Sequence, residues 1–138
     1  MSAAKYVLTA VWATAFASSW FIPVSLATAA LFWIALIGTL SLQALADHRM
    51  LLSLPMLTGI SFNAAASLAN GGQMPVAAAG VTHDRWWQPM TEASRLPWLC
   101  DVLFGGTTSV GDVVLLVGGV LVIAMAIYKA GVRESVLS

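Results

Sequence analysis

Charge is what this sequence most lacks. Only 9% of its 138 residues are Asp, Glu, Lys or Arg, where an ordinary soluble domain carries about a quarter. Six acidic and six basic residues cannot give a domain of this size a wettable surface. This excludes a soluble globular protein. The 59% of apolar residues equally excludes a disordered chain, which is polar and poor in large hydrophobes. Net charge is zero, so there is no basic face for nucleic acid. Cysteine is nearly missing. Cys100 stands alone and can form neither an internal disulfide nor a Cys-rich metal site. The strings Ser-His-Asp, HExxH and GxSxG do not occur, and no lysine follows a glycine-rich loop as nucleotide phosphates require. No cofactor is implied.

What is present is uninterrupted apolar sequence. No charge falls between Tyr6 and Ala46, a run of 41 residues. A bilayer core takes about 20 helical residues, so this run is too long for one span and suits two. Pro23 marks the start of the second, because proline lacks an amide hydrogen and fits a first helical position. Charge-free stretches follow from Met50 to Thr82 and from Val113 to Tyr128. The sequence therefore predicts an all-α membrane protein with four transmembrane helices at residues 3–20, 23–46, 50–69 and 111–128. Residues 70–110 form a long, partly helical outer loop between helices 3 and 4. All 138 residues form one transmembrane domain. Ala15-Phe16-Ala17 has the form of a signal cleavage site, but an Ala-rich helix produces that triplet by chance, and the segment is read as a span.

Four spans place both termini on one side. Lys5, Arg49, Lys129 and Arg133 lie on that side and Arg85 and Arg95 on the other. The positive-inside rule then puts the termini in the cytoplasm of a bacterial inner membrane and the loop outside. Trp20, Trp86, Trp87 and Trp98 fall near the outer interface, as anchors would. Trp86-Trp87 and Trp98 alternatively suit stacking on a sugar, lipid or quinone ring. Residues 84–103 mix Trp and Leu with charge and read as short helical pieces lying in the interface plane.

Asn70-Gly71-Gly72-Gln73-Met74-Pro75-Val76 follows a span containing Gly59 and Asn63. Then come His83, Thr91, Leu96-Pro97-Trp98-Leu99-Cys100-Asp101-Val102 and Ser109-Val110-Gly111-Asp112-Val113. This order resembles an uncharacterised family of small bacterial membrane proteins, a domain of unknown function. Its members show Asn-Gly-Gly-x-Met-Pro-Val after a span, then a His and a Thr. A Leu-Pro-x-Leu-Gly-Asp stretch and a Ser-x-Gly-Asp-Val helix opening follow. The resemblance covers about residues 57–120 and implies fold and topology, with no activity to carry over. Cys100 stands where the family has Gly.

Each motif has a structural use. Asn70-Gly71-Gly72 stops helix 3, since Gly and Asn accept positive φ, and Met74-Pro75 prolongs the stop. The alternative is a nest of amides that binds an anion or headgroup. Thr107, Thr108 and Ser109 are caps for helix 4, and Asp112 meets its positive end. Asp101 has Arg95 or a nearby amide as partner. His83 with Asp101 and Asp112 could instead hold a divalent cation or run acid–base chemistry, but there is no second ligand at close helical spacing, so no metal is expected. Gly59, Asn63 and Ser67 recur every four residues on helix 3 and suit close helix packing. No charge lies at mid-span, which argues against a proton-coupled pump.

The function this predicts is non-enzymatic: a small accessory or interaction subunit. Its partners are the lipid bilayer and either another protein or further copies of itself, met through small-residue helix faces. The alternative is an outer-leaflet enzyme or a lipid- or small-ligand-binding protein using His83, Asp101 and Asp112.

Overall fold

In a computed structural model of the chain, residues 2–18, 24–46, 50–82 and 86–137 are described. Most of them are helical. Helix α1 is Ser2–Ser18, α2 Leu26–Ala46, α3 Met50–Ala69 and α4 Val110–Leu137. Between α3 and α4 lie two three-residue strands, β1 (Met74–Val76) and β2 (Trp87–Pro89), and a 3-10 turn at Pro97–Leu99. Neighbours in sequence are neighbours in space: α1 packs on α2, α2 on α3, and α3 most extensively on α4.

The helix ends follow local chemistry. Helix α2 starts three residues later than its proline suggests, because Ser25 is the cap. Its hydroxyl oxygen accepts the Thr28 amide at 3.2 Å and its carbonyl accepts the Ala29 amide at 2.9 Å, satisfying donors that open a helix. Pro23 itself lies outside the described residues. Helix α3 has the expected bounds. Helix α4 runs nine residues past the expected 128, since the tail holds Lys, Arg, Glu and Leu without proline, and such residues continue a helix in water as well as in lipid. Among the described residues, α2 is the helix long and apolar enough to cross a membrane, over Leu26–Leu45, and Val110–Met125 forms a shorter apolar helix.

Small residues let α3 and α4 touch backbone to backbone. A Cβ at Gly59 would lie 2.5 Å from the Gly111 carbonyl oxygen and 2.6 Å from the Leu115 amide, and one at Gly118 would lie 2.6 Å from the Met56 amide. The Gly59 end of the helix 3 stripe is therefore consumed inside the chain.

The loop departs from the expectation of short surface helices. Pro75 and Pro89 stand in the two strands and disfavour helix there, Pro97 opens the short 3-10 turn, and much of the remaining backbone pairs through a sheet-like lattice. Strands β1 and β2 are parallel, with Met74 opposite Trp87 and Val76 opposite Pro89. The other edge of β1 meets Asp101: the Ala77 amide donates to the Asp101 carbonyl at 2.9 Å and the Asp101 amide to the Pro75 carbonyl at 3.1 Å. That edge uses only the carbonyl of Pro75, so the missing amide costs nothing. Under this lattice Ala66, Met74, Leu99 and Cys100 form a buried cluster.

Candidate functional site

The glycine motif resolves into a helix cap. The Gly72 amide donates to the Ser67 carbonyl at 2.9 Å and the Gly71 amide to the Leu68 carbonyl at 3.4 Å. Gly71 has φ +79°. This is the Schellman pattern, with glycine in the left-handed position just past the helix. Both amides are spent on the helix end, so they do not form an open anion nest. Gly72, at φ +101°, also faces the start of α2: a Cβ there would sit 3.1 Å from the Ala29 Cβ.

Asn70 ties the cap to the loop. Its side-chain amide donates to the Ala66 carbonyl at 2.8 Å and the Arg95 carbonyl at 2.9 Å. Its side-chain oxygen accepts the Arg95 amide at 2.8 Å. The Gln88 side chain adds a bond to the Asn70 carbonyl at 3.2 Å. One side chain thereby fixes the position of the loop over the end of α3.

A second polar knot joins α3 to the start of α4. Ser109 and Asp112 cap each other: the Asp112 amide donates to the Ser109 hydroxyl at 3.0 Å and the Ser109 amide to Asp112 Oδ2 at 3.0 Å. Asn63 closes the ring. Its Nδ2 donates to Asp112 Oδ1 at 2.7 Å, and its Oδ1 accepts the Ser109 hydroxyl at 2.7 Å. The reciprocal cap satisfies two orphan donors, and the charged acceptor strengthens its bonds. The remaining stripe residue, Ser67, donates to the Gly72 carbonyl at 2.8 Å. Asn63, Ser67 and Gly59 thus have three separate tasks.

Above these knots lies a cavity of about 350 Å³. Phe32 and Trp33 of α2, Asn63 and Ser67 of α3, Met74, Trp86, Trp87, Asp101, Thr107 and Asp112 line it. Phe32 sits edge-on to Trp33 at 5.0 Å between ring centres and tilted against Trp86 at 5.2 Å. The Trp33 indole nitrogen is buried and has no hydrogen-bond partner among the described residues. An adjoining hollow shares Trp87, Asp101 and Thr107.

Asp101 is the anomaly of this cavity. It is 6% exposed, and among the described residues its carboxylate accepts no hydrogen bond. Neither the expected bond to Arg95 nor one to an amide is made. Burial, with the Asp112 charge adding to it, pushes its pKa up to about 6. Both oxygens of Asp112, by contrast, accept hydrogen bonds. Cys100 beside it is fully buried and points its sulfur at the Leu96 carbonyl, 3.4 Å away. Burial and the neighbouring Asp101 raise that thiol's pKa, so it remains an un-ionised core residue.

Of the sequence candidates, the structure brings Asp101, Asp112, Asn63, Ser67, Met74, Trp86 and Trp87 around one cavity. Asn70, Gly71, Gly72 and Pro75 build the frame beneath it. Thr91 lies away on an exposed turn, its amide bound to the Ser94 hydroxyl at 2.9 Å. Trp98 is exposed outside the cavity. His83 and Trp20 lie outside the described residues. Among the described residues no three His, Cys, Asp or Glu side chains assemble. Phe32, Trp33 and Thr107 were not singled out as site residues by the sequence. The signal for Trp33 was its position, two turns inside an apolar helix and away from the interface where tryptophan anchors.

The frame, the knots and the cavity define a mostly helical protein of a kind whose activity is not established. The chain belongs to a family of unknown function (DUF5317), whose model matches residues 3–124. The match extends the resemblance from the loop and α4 back through α1 and α2. No curated protein and no solved structure matches the chain.

Proposed function

We propose that the chain is a multi-pass membrane protein whose outer loop, with α2, α3 and α4, encloses a binding site for a small ligand. The observation that carries the reading is Asp101, a mostly buried residue whose carboxylate accepts no hydrogen bond among the described residues and opens on the cavity. Withdrawing a carboxylate from bulk water disfavours its charge, and such a group in a cleft is a candidate functional residue. The cavity volume falls within the range of about 300–1,000 Å³ found for ligand pockets.

Several features support the membrane setting. Leu116, Val120, Ile123 and Ile127 form an exposed apolar stripe on α4, and Leu31 and Ile34 are exposed on α2. Soluble monomers rarely leave such continuous patches open. With the four-span reading of the charge-free segments, the Lys/Arg asymmetry supports cytoplasmic termini and an extracytoplasmic loop. The accessory reading has less support, because the small-residue stripe of α3 is occupied by α4 and the Gly72 turn rather than presented to a second chain.

Native mass spectrometry of the full chain released from a mild detergent tests the ligand reading. The expected result is a small-molecule or lipid adduct that disappears in Thr107→Trp, which fills the cavity from an exposed loop position. A bare chain mass under every mild detergent, or an adduct unchanged in Thr107→Trp, overturns it. Orientation is tested separately with a membrane-impermeant thiol reagent on intact cells. Thr91→Cys should react and Ser135→Cys should not, and the reverse pattern overturns the topology.

A further inference from the structure

The chemistry of the cavity narrows its ligand. Its described lining holds two carboxylates, Asp101 and Asp112, and no lysine or arginine. Asp112 is already held by Asn63 and the Ser109 amide, so the uncompensated negative charge belongs to Asp101. Four aromatic residues, Phe32, Trp33, Trp86 and Trp87, form much of the wall, with Met74 and the polar Asn63, Ser67 and Thr107 between them. Aromatic faces carry negative potential and attract cations, and cages of them hold quaternary ammonium groups. An anionic or neutral sugar ligand would leave the Asp101 charge unpaired or worsen it.

A bare metal ion fits poorly. Calcium takes about 6–8 oxygen ligands and magnesium demands an octahedral shell, whereas one free carboxylate is available here and the walls are rings. An organic cation uses both parts: its charge meets Asp101 and its carbon-bound periphery meets the rings. The buried Trp33 indole adds a donor with no acceptor, so the ligand should also bring an oxygen.

We propose that the ligand is an organic cation, an amine or quaternary ammonium with an acceptor oxygen nearby, held by Asp101 and by the rings of Phe32, Trp33, Trp86 and Trp87. This rests on reading the cavity as a ligand site and adds the ligand's charge and class. A free amino alcohol and the headgroup of an ethanolamine or choline phospholipid share this chemistry. The cavity reaches Trp33, two turns into the outer end of α2, where a headgroup or a soluble cation can both arrive.

The test uses the full chain in a nonionic detergent, titrated with choline chloride and with its uncharged carbon isostere 3,3-dimethylbutan-1-ol, read by tryptophan fluorescence. Choline should give a saturable change and the isostere none. Asp101→Asn should weaken choline binding at least about tenfold, as loss of one partner of a buried charge pair does. Glu92→Gln, an exposed acid outside the cavity, should leave it unchanged. Trp33→Phe keeps a ring and removes the donor. It should weaken choline more than tetramethylammonium, which has no oxygen, and it serves as the second variant if Asp101→Asn does not fold. Equal responses to choline and its isostere, or equal affinities in wild type and Asp101→Asn, overturn the cation assignment. In that case an adduct sensitive to Thr107→Trp would still sustain the ligand site itself. Repeating the titration in nanodiscs separates the sources. Choline binding suppressed by phosphatidylcholine but not by phosphatidylglycerol assigns the site to a lipid headgroup, and binding unaffected by either assigns it to a soluble cation.

Discussion

The α1–α2 pair and the α3–α4 pair are both antiparallel-neighbour helix contacts, yet they are built differently. Thr39 in α2 bonds its hydroxyl back to the Ala35 carbonyl at 2.8 Å, within its own helix, and the residues α2 buries include the small Ala29, Ala35 and Ala44. Between α3 and α4 the backbones meet at glycines, and Asn63 locks them with two hydrogen bonds, to Asp112 and from Ser109, which two more within the α4 cap hold in place. Contacts of the first kind are set by shape and tolerate repacking. Contacts of the second kind fix one register, because a slip leaves buried polar groups unpaired. The cavity sits over the locked pair. Its floor is therefore rigid, and its α2 wall belongs to the more adaptable half of the molecule.

The largest effect should come from forcing the locked pair apart. A side chain at Gly111 would collide with the Asn63 amide and with the Gly59 carbonyl. Gly111→Val should abolish recovery of monodisperse protein in detergent, whereas Gly119→Ala, with open space around it, should be recovered like wild type. Equal recovery of both would mean that α3 and α4 do not meet through their glycines.

Next is the bolt between the lock and the loop. Asn70→Ala removes three side-chain hydrogen bonds, two of them to Arg95. At about 1 kcal/mol net per bond, and more where a partner is left buried, the loss should be roughly 2–4 kcal/mol. A fall in the detergent melting temperature, accompanied by faster proteolysis between residues 86 and 100, is the expected signature. An unchanged proteolysis rate would show that the loop is held by something else.

The helical frame was legible because it depends on patterns inside a single segment. Charge-free length located α2 and α3, and Asn70-Gly71-Gly72 located the end of α3 because only a few residues accept the backbone angles required there. The loop was expected to hold short helical pieces, and among the described residues one forms, the 3-10 turn at Pro97–Leu99, while Trp87–Pro89 is a strand, since Trp and Leu beside charges look alike in an interfacial helix and in a short strand. Pro89 was the contrary signal. The lock was half legible. Asn63 was a visible polar residue in a span and Ser109 and Asp112 a visible cap. Their meeting depends on how two helices separated by 46 and 49 residues dock, and no local pattern encodes that. The cavity was least legible, because Trp33, Asp101 and Thr107 come together only after the loop has folded over the lock.

The two glycines of the cap grade the same comparison more finely. Gly71 has a left-handed φ with open space beyond it, so Gly71→Ala should cost about 1 kcal/mol from backbone conformation alone. Gly72 has φ +101° and faces Ala29, the Ser25 carbonyl and Leu26 of α2 at 3.1–3.3 Å. Gly72→Ala should therefore lower the melting temperature further than Gly71→Ala. Equal shifts would mean that the start of α2 yields without cost, and that the adaptable half of the molecule extends up to the cap.

The most local effect is a pH dependence carried by one side chain. Asp101 titrates near 6 in the folded protein and near 3.8 when unfolded. The fold therefore holds the proton more tightly than the unfolded chain does. Its contribution to stability is fully present below about pH 4 and is lost as pH rises through about 6. Between these values the melting temperature of the ligand-free wild type should decline, and Asp101→Asn, which is neutral throughout, should lack that component of the decline. Asp112→Asn should lower the whole curve by damaging the lock, and by removing the charge that helps raise Asp101 it should also make the decline shallower. If Asp101→Asn retains the full slope between pH 4 and 7, the unpaired carboxylate is not the group that the fold strains to bury.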